Sequence, residues 1–120
     1  MKYLLMIVMN PTVFGELSEE EQKAVVSAHD DFQKLLTESG ELVGFAALAD
    51  PSASRTVRVR DGVPAVTDGP YVEAKEHLAG YYVVDCETPA RAEELAAMIP
   101  DARLTGIEVR AVMGSGGLEM

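Results

Sequence analysis

The sequence predicts an α+β domain: one antiparallel sheet with two helices on one face and an inserted β-hairpin. Three observations predict it. Apolar runs of strand length alternate with runs of helical period as β-α-β, a hairpin, then β-α-β. Both helical runs open on a capping signature, Ser18-Glu19-Glu20-Glu21 and Thr88-Pro89. Between the two units, Asp61-Gly62 joins two short alternating runs and has the chemistry of a tight hairpin turn.

The first strand spans about residues 2–9 and is apolar on both faces, with Leu4, Met6 and Val8 on one side and Tyr3, Leu5, Ile7 and Met9 on the other. A strand half open to water alternates, so both faces of this one call for cover. The apolar run is seven residues long and stops at Asn10-Pro11 with no small-residue cleavage site, which reads as a strand and not a signal peptide. The first helix is capped by Ser18, with Glu21 closing the capping box, and ends at Gly40. Val25, Ala28, His29, Phe32, Leu35 and Leu36 form its apolar stripe, and Glu19–Lys23 and Asp30–Lys34 are set for i,i+4 pairing on the wet face.

A second strand is expected over about residues 41–48. The hairpin runs from Thr56 to Arg60, turns at Asp61-Gly62 and returns from Pro64 to Thr67, with Pro64 confining the return to an edge or a first position. The next strand covers Gly80–Cys86. Thr88 and Pro89 then start a helix with Ala92, Leu95, Ala96 and Ile99 inward, and Pro100 ends it. The last strand lies at about 107–113, with Ile107, Val109, Ala111 and Met113 on one face. Residues 1–113 read as a single domain and 114–120 as a flexible tail. This order is the ferredoxin-like one. It leaves one sheet face bare in a monomer, so the apolar first strand predicts face-to-face dimerisation with a ligand cleft beside the interface.

Composition narrows the function. The formal charge is −10, from 20 acids against 10 bases, which disfavours nucleic acid and anionic membranes as partners. A single cysteine, Cys86, rules out an internal disulfide and makes a reducing cytoplasm the default setting. No run reaches the roughly 20 apolar residues of a membrane span. The only histidines are His29 and His77, and no HxH, HExxH, CxxC, GxGxxG, Walker loop or GxSxG is present, so no metal and no cofactor is implied.

The candidates for chemistry are few. His29 sits in an apolar stripe, and its ring suits proton transfer; the plainer reading is a core or interface histidine satisfied by backbone. Asp68 ends the hairpin before Gly69-Pro70. It either caps a turn or orients the His29 imidazole. Glu73 and Lys75 flank Ala74, and Lys75 either reaches a ligand carboxylate or is simply solvated. Arg58 and Arg60 share a hairpin face, as an anion site or as charge protecting an edge. Tyr81 and Tyr82 point to opposite sheet faces, one into the core and the other toward a cleft. Cys86 reads as packing.

The stretch Asp68-Gly69-Pro70-Tyr71-Val72-Glu73-Ala74-Lys75-Glu76, continuing through His77-Leu78-Ala79-Gly80-Tyr81, resembles the signature of the YCII-related family in its DGPF-motif branch. Met1-Lys2-Tyr3, Ala28-His29, Thr56-Val57-Arg58 and Ile107-Glu108-Val109-Arg110 fit as well, and the resemblance spans about residues 1–113. It implies a dimeric α/β-barrel with a helix-one histidine and an aspartate as a catalytic dyad, which fall here on His29 and Asp68. Tyr71, Glu73, Lys75, Arg58 and Tyr81 would bind the ligand. Tyr71, Val72, Ala74 and His77 depart from the usual motif, which points to a different ligand preference. Two functions are expected from this reading. One is a cofactor-free acid/base enzyme acting on a small organic molecule bearing a carbonyl or carboxylate. The other is a non-catalytic ligand-binding or regulatory module, since some relatives accompany extracytoplasmic-function sigma factors.

Overall fold

The first strand takes the middle of the sheet. In the computed structural model, which describes residues 1–71 and 74–117, β1 (Lys2–Met9) leads through a short helix α1 (Pro11–Gly15) to the long helix α2 (Glu19–Ser39). Then come β2 (Leu42–Ala47), the hairpin strands β3 (Arg55–Arg60) and β4 (Val63–Asp68), β5 (His77–Asp85), α3 (Pro89–Met98) and β6 (Gly106–Ala111). Single 3₁₀ turns precede β3 at Pro51–Ala53 and follow α3 at Pro100–Arg103. The main sheet has the order β2-β5-β1-β6, and each neighbouring pair is antiparallel. β3 and β4 form a separate two-stranded sheet. The architecture is α+β and consistent with a ferredoxin-like fold. The helix α1 has no counterpart in the sequence reading: Asn10 caps it by accepting from the Thr12 and Val13 amides, and Pro11 fills its first position.

Local chemistry accounts for the elements. The Ser18 hydroxyl accepts from the Glu21 amide and the Glu21 carboxylate accepts from the Ser18 amide, each at 3.1 Å, which completes the capping box. Gly40 ends α2 in the left-handed region at φ 79°. Thr88 caps α3 through the Arg91 amide at 3.1 Å. At the hairpin turn both Asp61 (φ 50°) and Gly62 (φ 77°) are left-handed, as a primed two-residue turn requires.

The core lies between one sheet face and α2 and α3. Tyr3, Leu5, Ile7, Tyr82 and Val84 meet Phe32 and Leu36 of α2 and Ala92, Leu95, Ala96 and Ile99. Leu35, expected in the stripe, is 38 % exposed. At about 100° per residue it lies a quarter turn from Leu36 and off the buried arc. The expected ion pairs Glu19–Lys23 and Asp30–Lys34 do not close to 4 Å among the described residues, and Met113 lies beyond β6, fully exposed. The tie between α3 and the β2 entrance is instead ionic: Arg91 donates from Nε and Nη2 to the two Glu41 oxygens at 3.0 and 2.9 Å.

Gly80 is buried where β2 crosses β5. A Cβ at Gly80 would stand 2.6 Å from the Ala46 carbonyl oxygen, so only glycine allows that approach. The opposite sheet face carries Leu4, Met6, Val8 and Tyr81, all partly exposed. No helix among the described residues is long and apolar enough to cross a membrane.

Candidate functional site

Three elements bring four polar side chains together under α2. The helix turns His29 toward the sheet, and Gln33, four residues on, follows on the same side. β5 supplies Tyr82 from its core face. The 3₁₀ turn after α3 supplies Asp101, because Pro100 stops the helix and the turn closes on the Asp101 carbonyl, which accepts from the Leu104 and Thr105 amides at 3.1 and 3.0 Å. The Thr105 hydroxyl donates to the Val8 carbonyl and fastens this turn to β1.

His29 is engaged at both ring nitrogens. Nε2 lies 2.6 Å from Asp101 Oδ1, and Nδ1 lies 2.8 Å from the Tyr82 hydroxyl. A carboxylate only accepts, so Nε2 carries a proton and donates it to Asp101. In the neutral ring Nδ1 is then the acceptor, and the Tyr82 hydroxyl donates to it. The Gln33 amide donates to the Tyr82 oxygen at 3.2 Å, which holds the phenol from its other side. The result is a directed chain from Gln33 through Tyr82 and His29 to Asp101.

Packing fixes the chain. Tyr82 and Asp101 are 2 % and 4 % exposed. The Tyr82 ring stacks parallel to His29 at 6.0 Å, takes Phe32 edge-on at 5.0 Å and leans on Phe45 at 5.7 Å. Burial pushes the Tyr82 phenol above its ordinary pKa, and the negative Asp101 and Asp30 push the same way against the Gln33 bond, so the phenol rests protonated.

A cavity of about 320 Å³ opens beside this chain, between α2 and the sheet. Ile7, Met9, Phe14, Val25, Phe45 and Ala47 give it an apolar wall; His29, Gln33, Tyr82 and Asp101 give it a polar floor, and Asp30 stands exposed among its lining residues. The register of β1 against β5 shifts between Ile7 and Val8, at this wall. The arrangement suits proton transfer to a small molecule in a mostly apolar cavity.

Of the residues singled out from sequence, the structure puts His29 on this cavity, and Tyr81 borders it while its ring projects to the opposite sheet face from Tyr82. Asp68 is elsewhere: it ends β4, its side chain is 87 % exposed, and it pairs with Arg55 at 3.4 Å. The carboxylate beside His29 within this chain is Asp101, and Asp68 does not approach the ring there. The Arg58 guanidinium lies 4.9 Å over the ring of exposed Tyr71. Lys75 is exposed, and Glu73 lies outside the described residues. The signature turn instead borders a second cavity with Pro70, Glu76, His77 and Asp50. Gly69 shapes that turn at φ 95°, donating to the Ser54 carbonyl at 2.7 Å while its own carbonyl accepts from the Thr56 hydroxyl at 2.9 Å.

Cys86 is buried, and burial raises its thiol pKa, consistent with a packing role. Among the described residues no three His, Cys, Asp or Glu side chains converge as metal ligands. Sequence reasoning missed Asp101, the contact of the Tyr82 hydroxyl with His29, and Gln33. Only Gln33 carried a readable signal, its i+4 spacing from His29.

Comparison with known proteins adds the family context. The sequence model of the YCII-related domain matches residues 1–115. An uncharacterized protein of Rhizobium meliloti (strain 1021) is 31 % identical over 102 residues, covering 85 % of this chain and 82 % of that protein.

Proposed function

The chain belongs to the YCII-related family, and on that premise we propose that the helix–sheet cavity is its working site, where a small, largely apolar molecule exchanges a proton through Tyr82, His29 and Asp101 without a cofactor. The observation that carries this reading is the double engagement of His29, at 2.6 and 2.8 Å. With Nε2 committed to Asp101, the ring accepts protons only at Nδ1, and Nδ1 is occupied by Tyr82. The relay therefore meets its substrate at the Tyr82 oxygen. As the substrate gives a proton to that oxygen, the Tyr82 hydroxyl proton passes to Nδ1, and the imidazolium is balanced by the Asp101 carboxylate. The reverse transfer returns the proton to another position of the substrate or to a leaving group. Isomerisation, elimination and hydrolysis all fit that scheme.

The test is a turnover screen of small carbonyl, hydroxyl and amine compounds with wild type, Tyr82→Phe and His29→Leu. Turnover by the wild type that falls about 100-fold or more in both variants supports the relay. Turnover that survives in His29→Leu overturns it.

A second reading, a non-catalytic binding or regulatory module, is favoured by one feature: the polar groups of the chain already satisfy one another, as they would in a structural network. Under it, His29→Leu keeps ligand affinity. Either reading is compatible with a homodimer, which the partly exposed Leu4, Met6, Val8 and Tyr81 on the open sheet face support. Light scattering at micromolar concentration tests this. A dimer that Met6→Glu converts to monomer is expected, and a stable wild-type monomer overturns it.

A further inference from the structure

We infer that the cavity between α2 and the sheet selects an organic cation, a protonated amine carrying a compact apolar body. The inference rests on reading that cavity as the working site. It departs from the carbonyl or carboxylate ligand that the sequence suggested.

The residues lining the cavity include two carboxylates, Asp30 and Asp101, and no lysine or arginine. Asp101 is 4 % exposed and held by His29 Nε2 at 2.6 Å, so the second carboxylate is buried at the cavity with an imidazole and no lysine or arginine against it. Asp30 makes no ion pair among the described residues, although Lys34 lies one turn further along α2. The two charges are already felt at the polar floor: both raise the Tyr82 phenol pKa.

A carboxylate ligand would enter against both charges with no cation to receive it. An ammonium meets Asp30 outside the floor and an aromatic ring within. Phe45, half exposed and tilted 35° to the buried Tyr82 ring at 5.7 Å, offers a π face to a cation and apolar area to its body. The formal charge of −10 adds a long-range field of the same sign, which gathers cations and repels anions.

The test uses three probes of nearly equal shape at pH 7: benzylammonium, benzyl alcohol and benzoate. Binding to the intact protein is followed by amide NMR shifts of His29, Gln33, Phe45 and Tyr82. Benzylammonium is expected to bind about 10-fold tighter than benzyl alcohol, with benzoate weakest, and added salt should erode only the benzylammonium affinity. Asp30→Asn should remove most of that advantage and leave benzyl alcohol unchanged. Asp31→Asn, the adjacent exposed acid that does not line the cavity, should leave the preference intact and so exclude a general surface effect.

Equal binding of the three probes, a preference for benzoate, or an amine preference indifferent to Asp30→Asn overturns the inference while leaving the proton relay standing. Loss of turnover in none of the relay variants, with the probe order intact, overturns the relay and leaves the inference standing. If none of the probes shifts the cavity resonances, both the inference and the choice of cavity fall.

Discussion

His29 and Asp101 meet Nε2 to Oδ1 at 2.6 Å across 72 residues of sequence. This contact decides which nitrogen of the ring carries the proton. It also separates Asp101 from Asp68, the carboxylate that the sequence singles out. Asp101→Asn should change the His29 ring nitrogen shifts and lower stability by about 1–3 kcal/mol, because a buried charged acceptor is lost. Asp68→Asn loses only an exposed pair with Arg55 and should change stability by no more than about 0.5 kcal/mol, with the His29 spectrum untouched. Urea unfolding and ¹⁵N spectra of the two variants check both expectations. A His29 spectrum that answers to Asp68 and not to Asp101 contradicts the geometry.

Tyr82 gives a prediction in alkali. Its folded pKa is raised above the ordinary 10.0, mainly by burial. The unfolded chain therefore releases this proton first. The contribution to stability is complete below about pH 10 and declines as pH rises from there through the folded pKa. Absorbance titration should show a late phenol step. Tyr82→Phe should remove that late step and flatten the alkaline loss of stability. A late step that persists in Tyr82→Phe contradicts this.

Gly80→Ala should destabilise by about 1–3 kcal/mol through overpacking, since the new methyl would stand 2.6 Å from the Ala46 carbonyl oxygen. The effect should extend to the cavity, which Ala46, Ala47 and Gly80 also line. Chemical denaturation gives the stability, and amide shifts at Phe45 and Tyr82 report the displaced wall. An alanine variant as stable as wild type, with an unchanged spectrum, would mean that β2 yields freely.

Glu41 gives a prediction in acid. Its bond to Arg91 holds the carboxyl below its ordinary 4.5, while Arg91 is held above its own ordinary value. A depressed folded pKa contributes stability above the unfolded value, and that contribution is lost as pH falls from about 4.5 through the lower folded value. Glu41→Gln should lower the melting temperature at pH 7 and narrow its gap to wild type below that window. Parallel melting curves at pH 7 and pH 3 check the sign; a constant gap contradicts it.

Much of the fold was legible because its signals are local. Ser18 with Glu21, Gly40, Asp61-Gly62 and Thr88-Pro89 each act within a few residues, and each sits where its chemistry placed it. The two-faced apolarity of residues 2–9 called for cover on both faces; α2 and α3 cover one, and β1 lies between β5 and β6. The site was only half legible. His29 stood out as a polar ring in an apolar stripe. Asp101 did not, because Pro100-Asp101 after a helix has the pattern of any helix stop, and its partner is 72 residues away. Tyr82 was readable as a core residue, but nothing in its neighbours reveals that its hydroxyl meets a ring nitrogen. The signature turn drew attention to Asp68 and its neighbours, whereas the structure places that turn at the hairpin base, beside a different cavity.

The central place of β1 governs the order of assembly. Within the main sheet β2 pairs only with β5, and β1 pairs only with β5 and β6. As the chain leaves the ribosome, β1 and β2 therefore have no sheet neighbour until residues 77–85 emerge, more than half-way through synthesis. Folding is consequently gated by late, long-range pairing, the slow regime for a domain of this size. An amino-terminal fragment ending at the hairpin would hold helices and a hairpin but no main sheet.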